Sequence, residues 1–401
     1  MRGTRVAIGL FFFCDGLLLG SWAARIPAVQ AHAGLSNAQL GLALFASSLG
    51  ALAAMPVAGW LSERAGSRRV VMSALAVASV ALVFASLATD LVGVALALFA
   101  FGAGFGSVNV SANAQGIALE RAYSRPILSS FHAAFSVGGL AGAGIGALAA
   151  GAGLAPRVHF AVLAVVVTLA ALAAVRRLLP RDSSEARQRR LVRPSRALLI
   201  LGAAAFCTLL AEGSAADWSA VYLSQSVGVS AAVAALGYTA FSLAMATSRT
   251  LGDRLNRRFG PLALARAGGG VAAVGLAAGL ATASAPVALA GFTAMGAGLG
   301  VVVPILFRAA GSTPGISASI GVATVSTIGW LGFLAGPPAI GFAAGAVGLR
   351  TALGLVVLAI LILVVLTRTA APSVRQPDGA ARSGGRLRDR EDDHVAAGSP
   401  G

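Results

Sequence analysis

An all-α membrane fold, with twelve transmembrane helices in two repeated six-helix bundles, is what this chain predicts. Three observations predict it: a composition that water would not support, apolar runs of bilayer-crossing length, and one turn sequence that occurs twice. Of the 401 residues, 57% are hydrophobic and 11% charged, and the mean hydropathy is +0.84. Soluble globular domains carry about a quarter of charged residues, so the solvent here is lipid. The spans must be helices, because an open strand edge leaves N–H and C=O groups unpaired in hydrocarbon and no alternating strands of about ten residues occur.

Crossing a bilayer takes about 20 residues of helix. Runs of that kind lie near 6–28, 38–60, 70–88, 92–115, 127–150, 158–179, 197–223, 231–252, 262–283, 286–308, 316–342 and 350–367. Turn and cap residues separate them: Gly34-Leu35-Ser36-Asn37 after the first, Arg125-Pro126 before the fifth, Ser284-Ala285-Pro286 before the tenth. The first run follows Arg2 and Arg5 as a signal peptide would. Asp15 within it, and the lack of a small-x-small cleavage site, argue against removal. The runs divide the chain into a first bundle over 1–179, a basic linker over 180–196, a second bundle over 197–368 and a disordered tail over 369–401.

A net charge of +16 raises the possibility of a nucleic-acid partner, but every basic residue is arginine and the arginines gather at the ends of apolar runs. That is topology rather than a DNA-binding face, and no nucleic acid is expected. Alternating the loops puts Arg2, Arg5, Arg64, Arg68, Arg69, Arg121, Arg125, the linker arginines, Arg254 to Arg266 and Arg308 on one side. Only Arg25, Arg157 and Arg350 fall toward the other. The arginine-rich side is expected to be cytoplasmic, with both termini on it and an even number of spans. Cys14 and Cys207 lie inside apolar runs and read as packing residues.

The repeat is visible along the chain. Gly59-Trp60-Leu61-Ser62-Glu63-Arg64-Ala65-Gly66-Ser67-Arg68-Arg69 is answered by Gly252-Asp253-Arg254-Leu255-Asn256-Arg257-Arg258-Phe259-Gly260. Aligning Arg64 with Arg254 gives an offset of 190, Trp22 with Trp218 gives 196, and Gly102-x-Gly104-x-Gly106 with Gly296-x-Gly298-x-Gly300 gives 194. Asp15-Gly16 is nearly matched by Glu212-Gly213. Similar offsets imply two halves of like orientation. The 51 glycines then serve close helix packing, which small residues permit in lipid.

A central acid or arginine costs about 2.5–3.5 kcal/mol on insertion scales, so the few ionisable groups should face a cavity. Asp15, in the middle of span 1 on the face of Trp22, is one proton-coupling candidate, since removal from water disfavours its charged form. Glu212 in span 7 is a second. For either, the alternative is a structural pair with an arginine or a backbone group. Asp217 and Arg25, nearer the outer mouth, read as gating or solvated groups; they could pair across the halves, or Arg25 could snorkel outward. Arg249, four residues before Asp253, reads as a cytoplasmic anchor, and so does Arg308. In span 4, Gly102, Gly106, Asn109 and Asn113 share one face, so a small-residue groove runs into two amides able to bind a polyol or to hold helices together. Val303 and Phe307 stand at the matching positions of span 10, so polar contacts are expected mainly from the first half. His132 and Ser136 share a face with Gly139, and His132 is a third proton-relay candidate. Trp22 and Trp218 complete the substrate-cavity set. Trp60 reads as an interface anchor and Trp330 as a packing residue, and Gly332-x-x-x-Gly336-Pro337-Pro338 should kink or closely pack span 11.

Twelve spans in two parallel halves, with this acid-Arg-x-Gly turn after spans 2 and 8, resemble the major facilitator superfamily of secondary transporters. Glu63, Arg64 and Arg68 stand at the positions of that family's signature loop, with glutamate in place of the usual aspartate, and Asp253 and Arg254 are its second copy. Leu35-Ser36-Asn37-x-Gln39-x-Gly41-Leu42, Pro56-x-Ala58-Gly59-x-Leu61 and the span 4 glycines are similar to bacterial fucose-permease-like proton symporters. Trp22-Ala23-x-Arg25-Ile26-Pro27 is similar to an uncharacterised bacterial subgroup. The chain departs from the fucose permeases where they carry a span 4 glutamate, here Asn109, and their span 1 acid would fall near Ala23. The resemblance implies alternating access about a midplane site in a bacterial cytoplasmic membrane.

No phosphate-binding glycine loop with lysine, zinc-ligand spacing or credible triad occurs, so neither an enzyme nor a cofactor is expected. A membrane potential offers about 2.3 kcal/mol per charge per 100 mV, roughly fifty-fold accumulation, so ion coupling could suffice. The expected function is proton-coupled transport of a small polar, sugar-like solute, with proton symport as its expected form and the direction left open, by a monomeric unit in a lipid bilayer. The rivals are a proton antiporter exporting a hydrophobic compound and a transport-inactive sensor or scaffold.

Overall fold

The computed structural model describes residues 1–123, 127–180, 195–314, 316 and 318–369. Most of the linker expected over 180–196, nearly all of the tail over 369–401, Arg125, Pro126 and the side chain of Asp253 lie outside the described residues. The first half comprises α1 (Arg2–His32), α2 (Asn37–Ala65), α3 (Ser67–Leu87), α4 (Leu91–Tyr123), α5 (Leu128–Gly151) and α6 (Pro156–Val175). The second comprises α7 (Arg196–Tyr222), α8 (Ala231–Phe259), α9 (Pro261–Thr282), α10 (Ala285–Leu299) with α11 (Val302–Gly311), α12 (Ala318–Val347), and α13 (Leu349–Ala352) with α14 (Gly354–Thr369). Among the described residues, twelve spans are long and apolar enough to cross a membrane, α10–α11 making the tenth and α13–α14 the twelfth.

Local chemistry sets the helix ends. Ser36 and Gln39 form a reciprocal capping box, Ser36 N donating to Gln39 Oε1 at 2.9 Å and Gln39 N to Ser36 Oγ at 3.2 Å. Asp90 caps α4 through Gly93 N at 2.8 Å, and Ser195 caps α7. Pro156 and Pro261 open their helices where no N–H partner is lost. Pro304 acts differently. Its ring and missing N–H cannot continue a helix past the carbonyl four residues back, Gly300, and the tenth span breaks at Gly300–Val301 between α10 and α11.

The two halves repeat in their contacts. Helix α1 lies along α5, α2 along α4, and α3 against α4 and α6; α7 along α12, α8 along α10, and α9 against α10 and α14 follow the same plan. Glycines fix the register, because a Cβ at Gly102 or Gly106 would meet the backbone of Ser47 or Ala51 on α2, while at Gly296 or Gly300 it would meet that of Phe241 or Met245 on α8. Gly104 sits against Ala74 and Ala78, and Gly298 against Gly268 and Ala272. Every one of these correspondences is 194 residues. Gly66 (φ 86°) and Gly260 (φ 76°), also 194 apart, each end one helix and start the next with a positive φ that favours glycine.

This register corrects two alignments read from sequence. The offset at the repeated turn is 194, not 190, so Arg64 corresponds to Arg258 rather than to Arg254. Both stack on an aromatic ring, Arg64 4.3 Å from Trp60 and Arg258 5.3 Å from Phe259. On α1 and α7 the offset is 193: Gly138 and Gly142 press on Phe13 and Leu17, while Gly332 and Gly336 press on Phe206 and Leu210. Asp15 therefore corresponds to Thr208, and Glu212 to Leu19.

The halves meet along α2 with α12 and α5 with α8. At Gly41 and Gly341 the backbones of α2 and α12 approach so closely that a Cβ on either would lie 2.9 or 2.8 Å from the other's Cα. Gly151 faces Ala232, and Ala24, Ala147 and Ala235 form a small cluster of their own. Gln225, in the π-helical turn Leu223–Val227 after α7, donates to Gln30 Oε1 at 2.9 Å, and Gln30 in turn donates to Asn37 Oδ1. All these junctions lie at the end of the molecule opposite the Gly66 and Gly260 turns.

Candidate functional site

Between the halves lies a cavity of about 300 Å³, within the range of sites for small organic ligands. From the first half come Leu19 and Trp22 of α1, Leu44, Ser47, Ser48 and Ala51 of α2, Phe101, Gly102, Phe105 and Asn109 of α4, and Phe135, Ser136 and Gly139 of α5. From the second come Glu212, Gly213, Ala216 and Asp217 of α7, Tyr238, Phe241, Ser242, Met245, Ala246 and Arg249 of α8, and Trp330 and Phe333 of α12. The Gln30–Gln225 bond and the Gly41–Gly341 contact join the halves beyond one end of it, and that end is thereby closed. Ser48 Oγ donates across the halves to Phe333 O at 3.3 Å.

One ion pair forms among the described residues, and it is in this cavity: Arg249 Nη2 lies 3.3 Å from Glu212 Oε2 and 3.5 Å from Oε1. The Glu212 side chain is 12% exposed and that of Arg249 38%. Arg249 Nε also donates to the Gly300 carbonyl at 3.4 Å. That carbonyl has no helical donor because residue 304 is proline, so the break in the tenth span supplies the acceptor that orients the guanidinium. The reading of Arg249 as a cytoplasmic anchor is thus corrected, and so is the expectation that polar contacts come mainly from the first half. Tyr238 lies within electrostatic reach of Glu212, Asp217 and Arg249 and stacks on Phe241 at 6.0 Å.

The other candidates divide. Trp22, Asn109, Ser136 and Asp217 reach the cavity. Asn113 is half-buried outside the lining and donates to Asn109 O at 2.7 Å within α4, while Gly102 and Gly106 are taken up by contact with α2. Trp218 is fully buried, its indole nitrogen without a partner, and it does not line the cavity. Asp15 is 2% exposed, its Oδ1 unpartnered, and also lies away from the lining. A shift of register explains both: on the 193-residue repeat Leu19, not Asp15, stands where Glu212 stands. His132 is exposed, edge-on to Phe12 at 5.3 Å, and within electrostatic reach of Arg249. Arg25 is buried and donates to the Leu154 carbonyl of its own half, which replaces both the pairing with Asp217 and the outward snorkel. Trp330, read as packing, lines the cavity and lies 5.4 Å from Phe333. At the turns, Glu63 and Arg64 are exposed, Arg68 is half-buried at the start of α3 and Arg254 is exposed.

Tyr238, Ser242 and Arg249 were missed as a group. Their spacing, with Met245 and Ala246 between, is a polar stripe at helical period on one face of α8, and that signal is present in the sequence.

The Major Facilitator Superfamily model matches residues 7–314. An uncharacterised MFS-type transporter of Yersinia pestis is 38% identical over 358 residues, covering 89% of this chain and 93% of that protein. The membrane protein MosC of Rhizobium meliloti is 35% identical, covering 87% and 86%. Among solved structures, a bacterial homologue of the human lysosomal transporter Spinster, inward-facing and occupied, superposes with a TM-score of 0.77 at 16% identity, covering 94% of this chain and 98% of that one. The nucleoside transporter NupG gives 0.70 at 12% identity, covering 93% and 99%. At such identities the structural likeness shows the fold.

Proposed function

This chain belongs to the Major Facilitator Superfamily of transporters, and from that premise we propose that it carries a small polar organic solute by alternating access, coupled to protons. The observation that carries the proposal is the Glu212–Arg249 pair, which faces a cavity closed at one end between two repeated bundles. Rocking of one bundle against the other would open the Gly41–Gly341 and Gln30–Gln225 junctions and expose the same cavity to the other side. The arginine-rich turns are assigned to the cytoplasm of a bacterial cell, with both termini there.

Glu212 is the favoured proton site. Ionised, it holds Arg249 by charge-assisted hydrogen bonds; protonated, it loses most of that attraction and frees the guanidinium for the solute or for a different helix arrangement. Proton occupancy is thereby linked to cavity shape. Ser47, Ser48, Asn109 and Ser136 supply hydrogen bonds to hydroxyl groups, and the rings of Trp22 and Trp330 supply stacking surface. The rings of Phe105, Phe135, Phe241 and Phe333 also favour a second reading, proton-driven export of a hydrophobic compound.

Solute-dependent pH change in proteoliposomes tests the proposal. Protons moving with the solute support symport, and protons moving against it support the export reading. Glu212→Gln should abolish the proton movement while leaving exchange of solute, and Asp15→Asn should leave proton movement within about twofold of the parent. Proton coupling that survives Glu212→Gln and disappears with Asp15→Asn would return the role to Asp15. A chain that moves no solute under any gradient would be a sensor or scaffold instead.

A further inference from the structure

The charges in the cavity do not balance. Its lining holds two carboxylates, Glu212 and Asp217, and one guanidinium, Arg249. Arg249 is committed to Glu212 and to the Gly300 carbonyl, and Asp217 has no ion pair among the described residues. Five residues, or about one and a half helical turns, separate Glu212 from Asp217 along α7, so Asp217 lies nearer the closed end of the cavity. With all three groups ionised, the site carries one uncompensated negative charge in surroundings walled by aromatic rings. An unpaired carboxylate removed from bulk water is costly, and a cation arriving with the solute would offset that cost. The rings assist the same choice: Trp22, Tyr238 and Trp330 line the cavity, and aromatic rings both attract an ammonium through their quadrupole and cover a solute's carbon skeleton.

Resting on the transport reading above, we propose that the solute carries a protonated amine, with Asp217 as its counter-ion and the polar groups of α2 and α4 as partners for its hydroxyls. Neutral polyols meet only the second set. Anions meet Asp217 as a repulsive charge, and Arg249 cannot serve them without abandoning Glu212.

The test uses the purified full-length protein and matched probes that differ only in the amine: glucosamine against glucose, and tyramine against tyrosol, with gluconate as the anion. Thermal stabilisation at fixed pH should reach half its maximum at a concentration at least tenfold lower for each amine than for its neutral partner. Asp217→Asn should erase the tenfold preference, and Asp217→Glu should keep most of it, which separates lost charge from a disturbed fold. Equal stabilisation by amine and neutral partner, a preference retained in Asp217→Asn, stronger stabilisation by gluconate, or no stabilisation by either amine would each overturn the assignment. Solute counterflow in proteoliposomes separates this from the transport reading. Exchange of a neutral sugar with no response to amines removes the amine assignment and leaves transport standing. Amine binding erased by Asp217→Asn, without exchange of any probe, keeps the assignment and removes transport.

Discussion

The first and second halves share a backbone plan but not a chemistry. On the structural repeat, Glu212 of α7 stands where α1 has Leu19, and Arg249 of α8 stands where α2 has Met55. Asn109 of α4 likewise stands where the tenth span has Val303. The second half therefore contributes all three charges, beside the hydroxyls of Tyr238 and Ser242, while the first contributes neutral groups alone. A duplicated frame needs the same small residues at the same crossings, because close helix approach in lipid depends on them. It places no such demand on residues facing the cavity, so these are where two copies can differ.

The largest expected effect tests the shared frame. Gly102→Val and Gly296→Val each drive a side chain into the backbone of the neighbouring helix, and each should destabilise the protein by more than about 3 kcal/mol. Both should fail to give a monodisperse peak in size-exclusion chromatography. Tolerance of one and not the other would mean that the 194-residue register is not shared.

Next in size is the chemical difference. Arg249→Met alone leaves Glu212 facing the cavity without its partner, so uptake should fall about a hundredfold and stability by about 1–3 kcal/mol. The double variant Glu212→Leu with Arg249→Met copies the first half's residues into the second. Its thermal stability should return to that of the parent or above while uptake stays lost. Recovery of uptake in the double variant would show the pair to be structural only.

Pro304→Ala is smaller. It gives residue 304 an N–H for the Gly300 carbonyl, which competes with Arg249 for that acceptor; loss of one hydrogen bond worth about 1 kcal/mol should reduce uptake about fivefold. Smallest is Gln225→Ala, which removes the amide link to Gln30 at the closed end. An equilibrium shift of about fivefold toward opening there is expected, read as faster thiol labelling of a cysteine placed at Ala235, which is buried in the cluster with Ala24 and Ala147.

Much of this is legible in the sequence. Length and hydropathy of the runs mark the spans, Ser36 and Asp90 announce helix starts through their hydrogen-bonding chemistry, and the Gly-x-Gly-x-Gly runs of spans 4 and 10 carry the true offset. The first span misled. Asp15 and Glu212 look equivalent because each is an acid before a glycine, and Trp22 and Trp218 because each is a tryptophan after it. Both alignments are several residues out of register with the helix contacts, and three or four residues are enough to move a side chain a full turn along the helix. Arg249 misled for another reason: counted along the chain it lies near a membrane surface, and only the fold shows that the cavity reaches it.

The sequence by itself determined that the protein spans a membrane as two six-helix halves, because burying apolar runs and pairing every backbone group in lipid leave no other solution for such a chain. Which acid meets which arginine, and what faces the cavity, was decided by tertiary structure alone. Those outcomes depend on the rotation and axial register of each helix, set by glycine contacts between segments far apart in the chain.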